Sequence, residues 1–293
     1  MRLLIDTDTA SDDAVALLLA LRTPDVDVDA ITVVAGNVEV EQGVQNALYT
    51  VELAGKRTPV YAGRTGTAQF GHAVHGNDGM GDIGLPLHGR EPAPGDAVDA
   101  LERRVRDAPG QYTLVTLGPL TNVAALHERG VVRLLRDVVI MGGTSDDVGN
   151  VAPHAEYNVW ADPAAAAAVF ASGARITMVG WDVSRTYAVF TPADQDELRA
   201  LGPLGAFSVD IQRTLIEFCR TKTKLDGYDL PDPIAMAVAL DRRVATQTVR
   251  ARIEVDAETA QTHLRSDGEP QCNVVVAASR ERFVALLRDA LGG

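Results

Sequence analysis

Residues 3–13 read Leu3-Leu4-Ile5-Asp6-Thr7-Asp8-Thr9-Ala10-Ser11-Asp12-Asp13, and this stretch decides the fold. Three apolar residues run into four carboxylates, and Ala14 to Leu21 then follows as a series made mostly of good helix formers. The pattern predicts a buried strand, an acidic loop and a helix. In an α/β sheet such a strand-to-helix turn lies at the carboxyl edge of the strands, where ligands bind. Four acids so close repel one another, and the free N–H groups of a helix N-terminus relieve part of that repulsion. Ser11 is expected as the N-cap, with Asp12 and Asp13 in the first turn. That accounts for two acids and leaves Asp6 and Asp8. A hard cation accounts for all four, because calcium takes about 6–8 oxygen ligands and selects carboxylate-dense loops.

The strand–loop–helix alternation continues outward from this stretch. Val26 to Val34 reads as a strand that stops at Ala35-Gly36-Asn37, and residues 39–54 have helical spacing. A short strand at Pro59-Val60-Tyr61, a helix over 96–106 and a strand over 112–117 follow. The last of these runs into Gly118-Pro119-Leu120-Thr121-Asn122, where Pro119 suits the first turn of a helix. Val138 to Met141 and Ile176 to Val179 are further strands, separated by a helix with Asp162 as N-cap and Pro163 behind it. Residues 192–241 look helical, broken at 226–228 and 231–233. The tail, over 249–255, 259–265 and 272–277, reads as short antiparallel strands before a final helix at 280–291. The prediction is one α/β domain over residues 1–293: a mostly parallel, doubly wound, Rossmann-like sheet with helices on both faces and a small antiparallel C-terminal extension. Residues 62–95 break the pattern, being rich in Gly, Pro, His and Asn. Centred on 72–82, they read as a mobile flap over a pocket.

Composition narrows the partners. Asp and Glu number 40 against 27 Lys and Arg, for a net charge of −13, so the net field does not attract nucleic acid or an anionic membrane. No apolar run approaches the roughly 18 residues of a membrane span, and the start of the chain lacks a secretory signal pattern. Cys219 and Cys272 have no metal-type spacing and read as reduced, buried thiols, which places the protein in the cytoplasm.

The polar residues at predicted strand ends are Asp6, Asp8, Asp12, Asp13, Asn37, Asn150, Glu156, Asn158 and Asp232. They offer many oxygen acceptors and amides with almost no cations, which suits a polyol beside a metal ion and suits a phosphate poorly. One alternative is a haloacid-dehalogenase-type phosphatase, in which Asp6 attacks phosphorus, Asp8 acts as acid and base, and Lys224 and Asp232 supply the later lysine and acid. That alternative leaves Asp12, Asp13, Asn37, Glu156 and Asn158 without a role.

The segments Asp6-Thr7-Asp8-Thr9-Ala10-Ser11-Asp12-Asp13, Thr32-Val33-Val34-Ala35-Gly36-Asn37 and Leu117-Gly118-Pro119-Leu120-Thr121-Asn122 resemble, in order, signatures of the nucleoside hydrolases, the inosine–uridine-preferring group. So do Met141-Gly142-Gly143, Gly149-Asn150-Val151, Ala155-Glu156-Tyr157-Asn158 and Pro231-Asp232-Pro233. The resemblance implies a Ca²⁺ held by Asp8, Asp13, Asp232 and the backbone carbonyl of Leu117. It implies that Asp12, Asn158 and Asp232 hold the ribose 2′- and 3′-hydroxyls, that Asn150 and Glu156 hold the 5′-hydroxyl, and that Asn37 supports both metal and ribose. Asp8 would take the proton of the calcium-bound water that attacks C1′. The substrate implied is a small-molecule ribonucleoside, and the assembly a homodimer or homotetramer.

Two positions depart from the pattern. Pro231 stands where many members carry the histidine thought to protonate the leaving base; His75 is the candidate substitute and Tyr228 a weaker one. A chain that has lost that step would be a catalytically impaired ribonucleoside-binding protein. Ala10 stands where the family usually has glycine, which strains the backbone only if its φ is positive.

Overall fold

The computed structural model describes residues 1–66, 72–223, 226–269 and 271–292. The chain begins β1 (Arg2–Thr7), α1 (Ser11–Arg22), β2 (Asp27–Val33), α2 (Val40–Leu53), β3 (Val60–Ala62), α3 (His72–His75) and α4 (Ala97–Asp107). It continues β4 (Tyr112–Thr116), α5 (Thr121–Glu128), β5 (Asp137–Met141), α6 (Tyr157–Ala161), α7 (Pro163–Phe170), β6 (Ile176–Val179) and α8 (Trp181–Tyr187). The last third comprises β7 (Val189–Phe190), α9 (Pro192–Arg199), α10 (Pro203–Asp210), α11 (Arg213–Phe218), β8 (Tyr228–Asp229), α12 (Pro231–Leu240), β9 (Ala245–Val255), β10 (Thr262–Arg265), β11 (Cys272–Ala278) and α13 (Arg280–Gly292).

Nine strands form one sheet in the order β10-β9-β11-β6-β5-β4-β1-β2-β3. All pairs from β3 through to β11 are parallel, and β9 is antiparallel to both β11 and β10. The three tail strands form the expected antiparallel run, β10-β9-β11, and β11 also joins the parallel sheet beside β6, so that β9 alone runs against the direction of the others. From β1 the chain winds one way through β2 and β3 and the other way through β4, β5 and β6. The divergence opens a crevice above the carboxyl ends of β1 and β4, the place where such sheets bind ligands.

Two cores sandwich the sheet. One packs α1, α2, α12 and α13 against it, and the other α4, α5 and α7. Residues 11–21 of α1 are all buried, because α1 lies between the sheet and α2, α12 and α13. A helix apolar on every side has to be covered on every side, so the acids at its N-terminus are carried into the interior with it. Among the described residues no helix is long and apolar enough to cross a membrane. Cys219 and Cys272 are buried thiols.

One local expectation is corrected and another is decided. The N-cap of α1 is Ala10 and not Ser11: the Asp13 carboxylate accepts from the Ala10 N–H at 2.8 Å, which leaves the Ser11 side chain free for other partners. Ala10 has φ −86°, an ordinary value, so alanine there is unstrained, and the positive φ falls on Thr9 at 44°. Residues 62–95, read as a flap, carry local structure. They contain α3, and Asp78 and Asp82 staple the turn that follows, Asp78 Oδ1 accepting from the Met80 N–H at 2.7 Å and the Asp82 N–H at 2.9 Å. Met80 and Leu87 are buried against the main core. Within the predicted flap, residues 67–71 lie outside the described residues.

Candidate active site

The loop after β1 lays the floor of the crevice. Asp6 is a cross-tie: its Oδ1 accepts from the Thr32 hydroxyl at 2.5 Å and from Asn122 Nδ2 at 2.8 Å, joining β1, β2 and α5. Burial pushes its carboxyl up to about 7. Its Oδ2 is buried without a hydrogen-bond partner among the described residues, and Asp6 is not among the residues that line the cavity described below, so its Oδ1 serves the fold; Lys224, the lysine of the phosphatase alternative, lies outside the described residues.

Asp8 is fully buried. Its Oδ2 accepts from the Asn37 N–H at 2.5 Å and from Asn37 Nδ2 at 3.0 Å, while Oδ1 is buried with no hydrogen-bond partner among the described residues. Burial pushes this carboxyl up to about 6, with the charge of Asp12 adding and the Asn37 N–H opposing. Two glycines make room for it. A Cβ at Gly36 would stand 2.0 Å from Asp8 Oδ2, and one at Gly118 would stand 3.1 Å from Asp8 Oδ1. Glycine at the ends of β2 and β4 is thus a steric requirement of the Asp8 side chain.

Asp12, Asp13 and Asp232 each bring a carboxylate oxygen within 4.8 Å of the others, and all three are buried. Asp13 is oriented by the Ala10 N–H and by the Thr7 hydroxyl. Asp232 reaches the cluster from the first turn of α12, whose N-cap is Leu230; it is not itself the N-cap. Burial, and then the charges of neighbouring aspartates, hold both Asp13 and Asp232 well above the carboxylate range. Asp12 Oδ1, like Asp8 Oδ1, is buried without a hydrogen-bond partner among the described residues. Adjacent buried carboxylates with unpaired oxygens repel one another unless they share protons or a cation. A hard divalent ion fits this donor set.

The walls carry amide and carboxyl groups. Glu156 caps α6: Oε1 accepts from the Asn158 N–H at 2.9 Å, and Oε2 accepts from the N–H groups of Gly143 at 2.8 Å and Val159 at 3.2 Å. Burial pushes its carboxyl up to about 7 against those three donors. Asn158 Nδ2 donates to the Leu117 carbonyl at 2.8 Å, which ties α6 to the end of β4. Asn150 is exposed at the mouth, its Oδ1 accepting from the Tyr157 N–H at 2.8 Å. A cavity of about 470 Å³ brings together Asp12, Asn37, His75, Leu117, Asn150, Glu156, Asn158 and Asp232, with Tyr157, Trp160, Trp181 and Phe218 as an aromatic wall. Asp8 and Asp13 lie beneath it, fully buried.

At the other side of the cavity stands His75, at the end of α3. It is buried, its Nδ1 lying 2.8 Å from Ser11 Oγ and 3.7 Å from Asp12 Oδ1. Pro231 is the first residue of α12, where its ring begins the helix, so that position carries no proton donor. Tyr228 is not a substitute. Its ring is stacked on Phe190 in the core, its hydroxyl is buried without a partner among the described residues, and burial holds its pKa far above neutrality.

Three residues of this region carry no signal in the sequence. Gln212 lies in a helical stretch, yet its side chain crosses to Ser11 at 2.6 Å. Ser11 itself reads as a cap. Asp229 lines the cavity, its Oδ2 accepting from Trp181 Nε1 at 3.0 Å and the Ser184 hydroxyl at 2.8 Å. Each contact links residues far apart in the chain, which no local pattern records.

Comparison with known proteins gives a consistent result. The family described as inosine-uridine preferring nucleoside hydrolase matches residues 3–285. The chain is 37% identical over 251 residues to uridine nucleosidase 1 of Arabidopsis thaliana, covering 82% of this chain and 74% of that protein. It is 33% identical over 308 residues to the pyrimidine-specific ribonucleoside hydrolase RihA of Salmonella arizonae, covering 99% and 97%. The solved structure of a purine-preferring ribonucleoside hydrolase from Gardnerella vaginalis superimposes with a TM-score of 0.92 at 31% identity, over 100% of this chain and 98% of that one.

Proposed function

Since the chain belongs to the inosine-uridine preferring nucleoside hydrolase family and is a hydrolase of N-glycosyl bonds, we propose that it cleaves ribonucleosides to free base and ribose with Ca²⁺ seated on its acidic floor. The observation that carries this reading is the set of buried carboxylates, with Asp6, Asp8 and Asp12 each keeping an oxygen that has no hydrogen-bond partner among the described residues, at the floor of a cavity rimmed by amides and acids.

Asp8, Asp13, Asp232 and the Leu117 carbonyl are the groups that would hold the cation. When bound, it supplies a water of lowered pKa and neutralises the acids that otherwise repel. The remaining work belongs to the chain. Asp12, Asn158 and Asp232 accept from or donate to the ribose 2′- and 3′-hydroxyls, while Glu156 and Asn150 take the 5′-hydroxyl at the mouth. Asn37 fixes Asp8 Oδ2 through two donors, which aims the unpaired Oδ1 as the base that removes a proton from the attacking water. The glycosidic bond breaks with positive charge spread over C1′ and the ring oxygen, and a floor of carboxylates stabilises that charge. His75 stands at the leaving-base side of the cavity and serves the base as it departs. The aromatic wall stacks on the base. The relatives' names point to uridine, pyrimidines and purines in turn, so the base is decided by assay.

The reading includes a cytoplasmic enzyme assembled as a homodimer or homotetramer, which sedimentation of the purified chain measures. The test of function is ribose released from uridine, cytidine, inosine and adenosine, with and without Ca²⁺. Ribosides that bind but release no ribose on long incubation would instead support a binding protein that has lost turnover.

A further inference from the structure

His75, Ser11 and Gln212 come from three separate elements and close a proton inventory. His75 Nδ1 lies 2.8 Å from Ser11 Oγ, and Ser11 Oγ lies 2.6 Å from Gln212 Oε1. Gln212 Nε2 lies 2.9 Å from the backbone oxygen of Ser11. Ser11 and Gln212 are wholly buried and His75 nearly so. The Ser11 carbonyl can only accept, so the Gln212 amide turns its NH₂ toward that carbonyl and its oxygen toward the hydroxyl. The opposite setting would hold two carbonyl oxygens against each other at 2.9 Å. The amide oxygen can also only accept, so the Ser11 hydroxyl gives its single proton to Gln212. Only lone pairs on Ser11 Oγ remain for His75, and Nδ1 must therefore carry a hydrogen. A neutral imidazole has one N–H, so Nε2 is left with a bare lone pair. No described residue hydrogen-bonds Nε2, and His75 lines the cavity.

We propose that Gln212 and Ser11 are positioning residues that lock His75 in the Nδ1–H tautomer. The inference rests on the reading of His75 as the group beside the leaving base. In the neutral ring Nε2 is then an acceptor for an N–H or amino group on the base. Any proton that Nε2 delivers is a second one: it passes to the base nitrogen as the C1′–N bond breaks, and the ring returns to the neutral Nδ1–H form. A histidine held the other way, with Nε2–H, would do neither.

The test is ¹⁵N spectroscopy of the full chain labelled at histidine, with Ca²⁺ present and above the pH at which the ring is neutral. The His75 signals are identified by their loss in His75→Ala. The wild type should show a pyrrole-type Nδ1 and a pyridine-type Nε2. Gln212→Met keeps the bulk of the side chain and removes the acceptor, which frees the Ser11 hydroxyl to donate to Nδ1; the two signal types should exchange. Ser11→Ala should give a mixture. In kinetics, Gln212→Met should lower kcat on uridine by about 10-fold, a part of the roughly 10²–10⁴-fold that a positioned proton donor contributes, with KM little changed. Turnover of p-nitrophenyl riboside, whose leaving group needs no proton, should change by less than about 2-fold. A wild type with hydrogen on Nε2, a Gln212→Met spectrum identical to wild type, or equal losses on both ribosides would each overturn the proposal. If Gln212→Met fails to fold, the wild-type and Ser11→Ala spectra decide. Failure of the hydrolase reading would show separately, as a wild type that releases no ribose while its spectrum remains as expected.

Discussion

Replacing Gly36 by alanine tests the geometry on which the acidic floor depends. The backbone at Gly36 does not lie in the left-handed region, so alanine carries no conformational penalty there. What it meets is Asp8: the added Cβ would stand 2.0 Å from Oδ2, 2.5 Å from Cγ and 2.6 Å from Cβ of that side chain. An ordinary contact needs about 3.4 Å or more, so the Asp8 carboxylate or the Gly36 loop must shift by roughly 1 Å or more. Either shift breaks the two hydrogen bonds from Asn37 to Asp8 Oδ2, at 2.5 and 3.0 Å. Losing donors to a buried carboxylate costs about 1.5–3 kcal/mol each, part of which relaxation recovers, so we expect a loss of about 2–4 kcal/mol. A base displaced by about 1 Å costs on the order of 100-fold in rate, so kcat should fall by about that factor. The assay is ribose release at saturating nucleoside, with urea unfolding in parallel. The clash partners are all atoms of one side chain, so a double-mutant cycle isolates the cause: in an Asp8→Gly background the stability cost of Gly36→Ala should largely vanish. Gly36→Ala with unchanged kcat and unchanged unfolding midpoint would refute the packing argument, and an equal cost in both backgrounds would show that the strain lies elsewhere.

Asp8→Ala should abolish ribose release beyond about 100-fold while the chain remains folded by circular dichroism, and EDTA should inactivate the wild type with recovery on adding Ca²⁺; full activity after either treatment contradicts the mechanism. His75→Ala should slow hydrolysis of a natural nucleoside by about 100-fold and p-nitrophenyl riboside far less, and a matching loss on both would remove His75 from leaving-group chemistry. Burial pushes Asp6 and Glu156 up to about 7 and Asp8 up to about 6, so the metal-free native state retains protons that the unfolded chain releases above about pH 4. Its stability is then greatest below that pH and falls as pH climbs toward 7. Ca²⁺ favours the ionised carboxylates, so the gain in Tm on adding Ca²⁺ should grow from pH 5 to pH 8, and a gain that shrinks over that range would be the wrong sign. Tyr228→Phe removes a buried hydroxyl that has no partner among the described residues, so activity should be unchanged and stability equal or higher by up to about 1 kcal/mol; a large loss of kcat would return Tyr228 to the mechanism.

The alternation of apolar runs with helical spacing was enough to read the parallel sheet and the strand ends that carry Asp8, Asn37, Asn158 and Asp232, because both periodicities are local properties of the chain. It placed β1 correctly because Leu3, Leu4 and Ile5 are buried on both faces of a central strand. It gave the antiparallel tail but not the parallel pairing of β11 with β6, since a strand's sequence does not say which second neighbour it will choose, and that pairing spans almost a hundred residues. Ser11 shows the same limit. A serine before two aspartates at a helix start is a cap by every local rule, yet the Asp13 carboxylate meets the Ala10 N–H and the hydroxyl serves Gln212, 201 residues away. Pro231 was legible as a departure, but not its reason, which is the first turn of α12. The residue types needed for the chemistry are written in the order of the chain. Which carboxylate is left with an unpaired oxygen, which glycine must stay bare and which ring nitrogen faces the cavity are set by contacts between distant segments, and these exist only once the sheet has brought its carboxyl ends together.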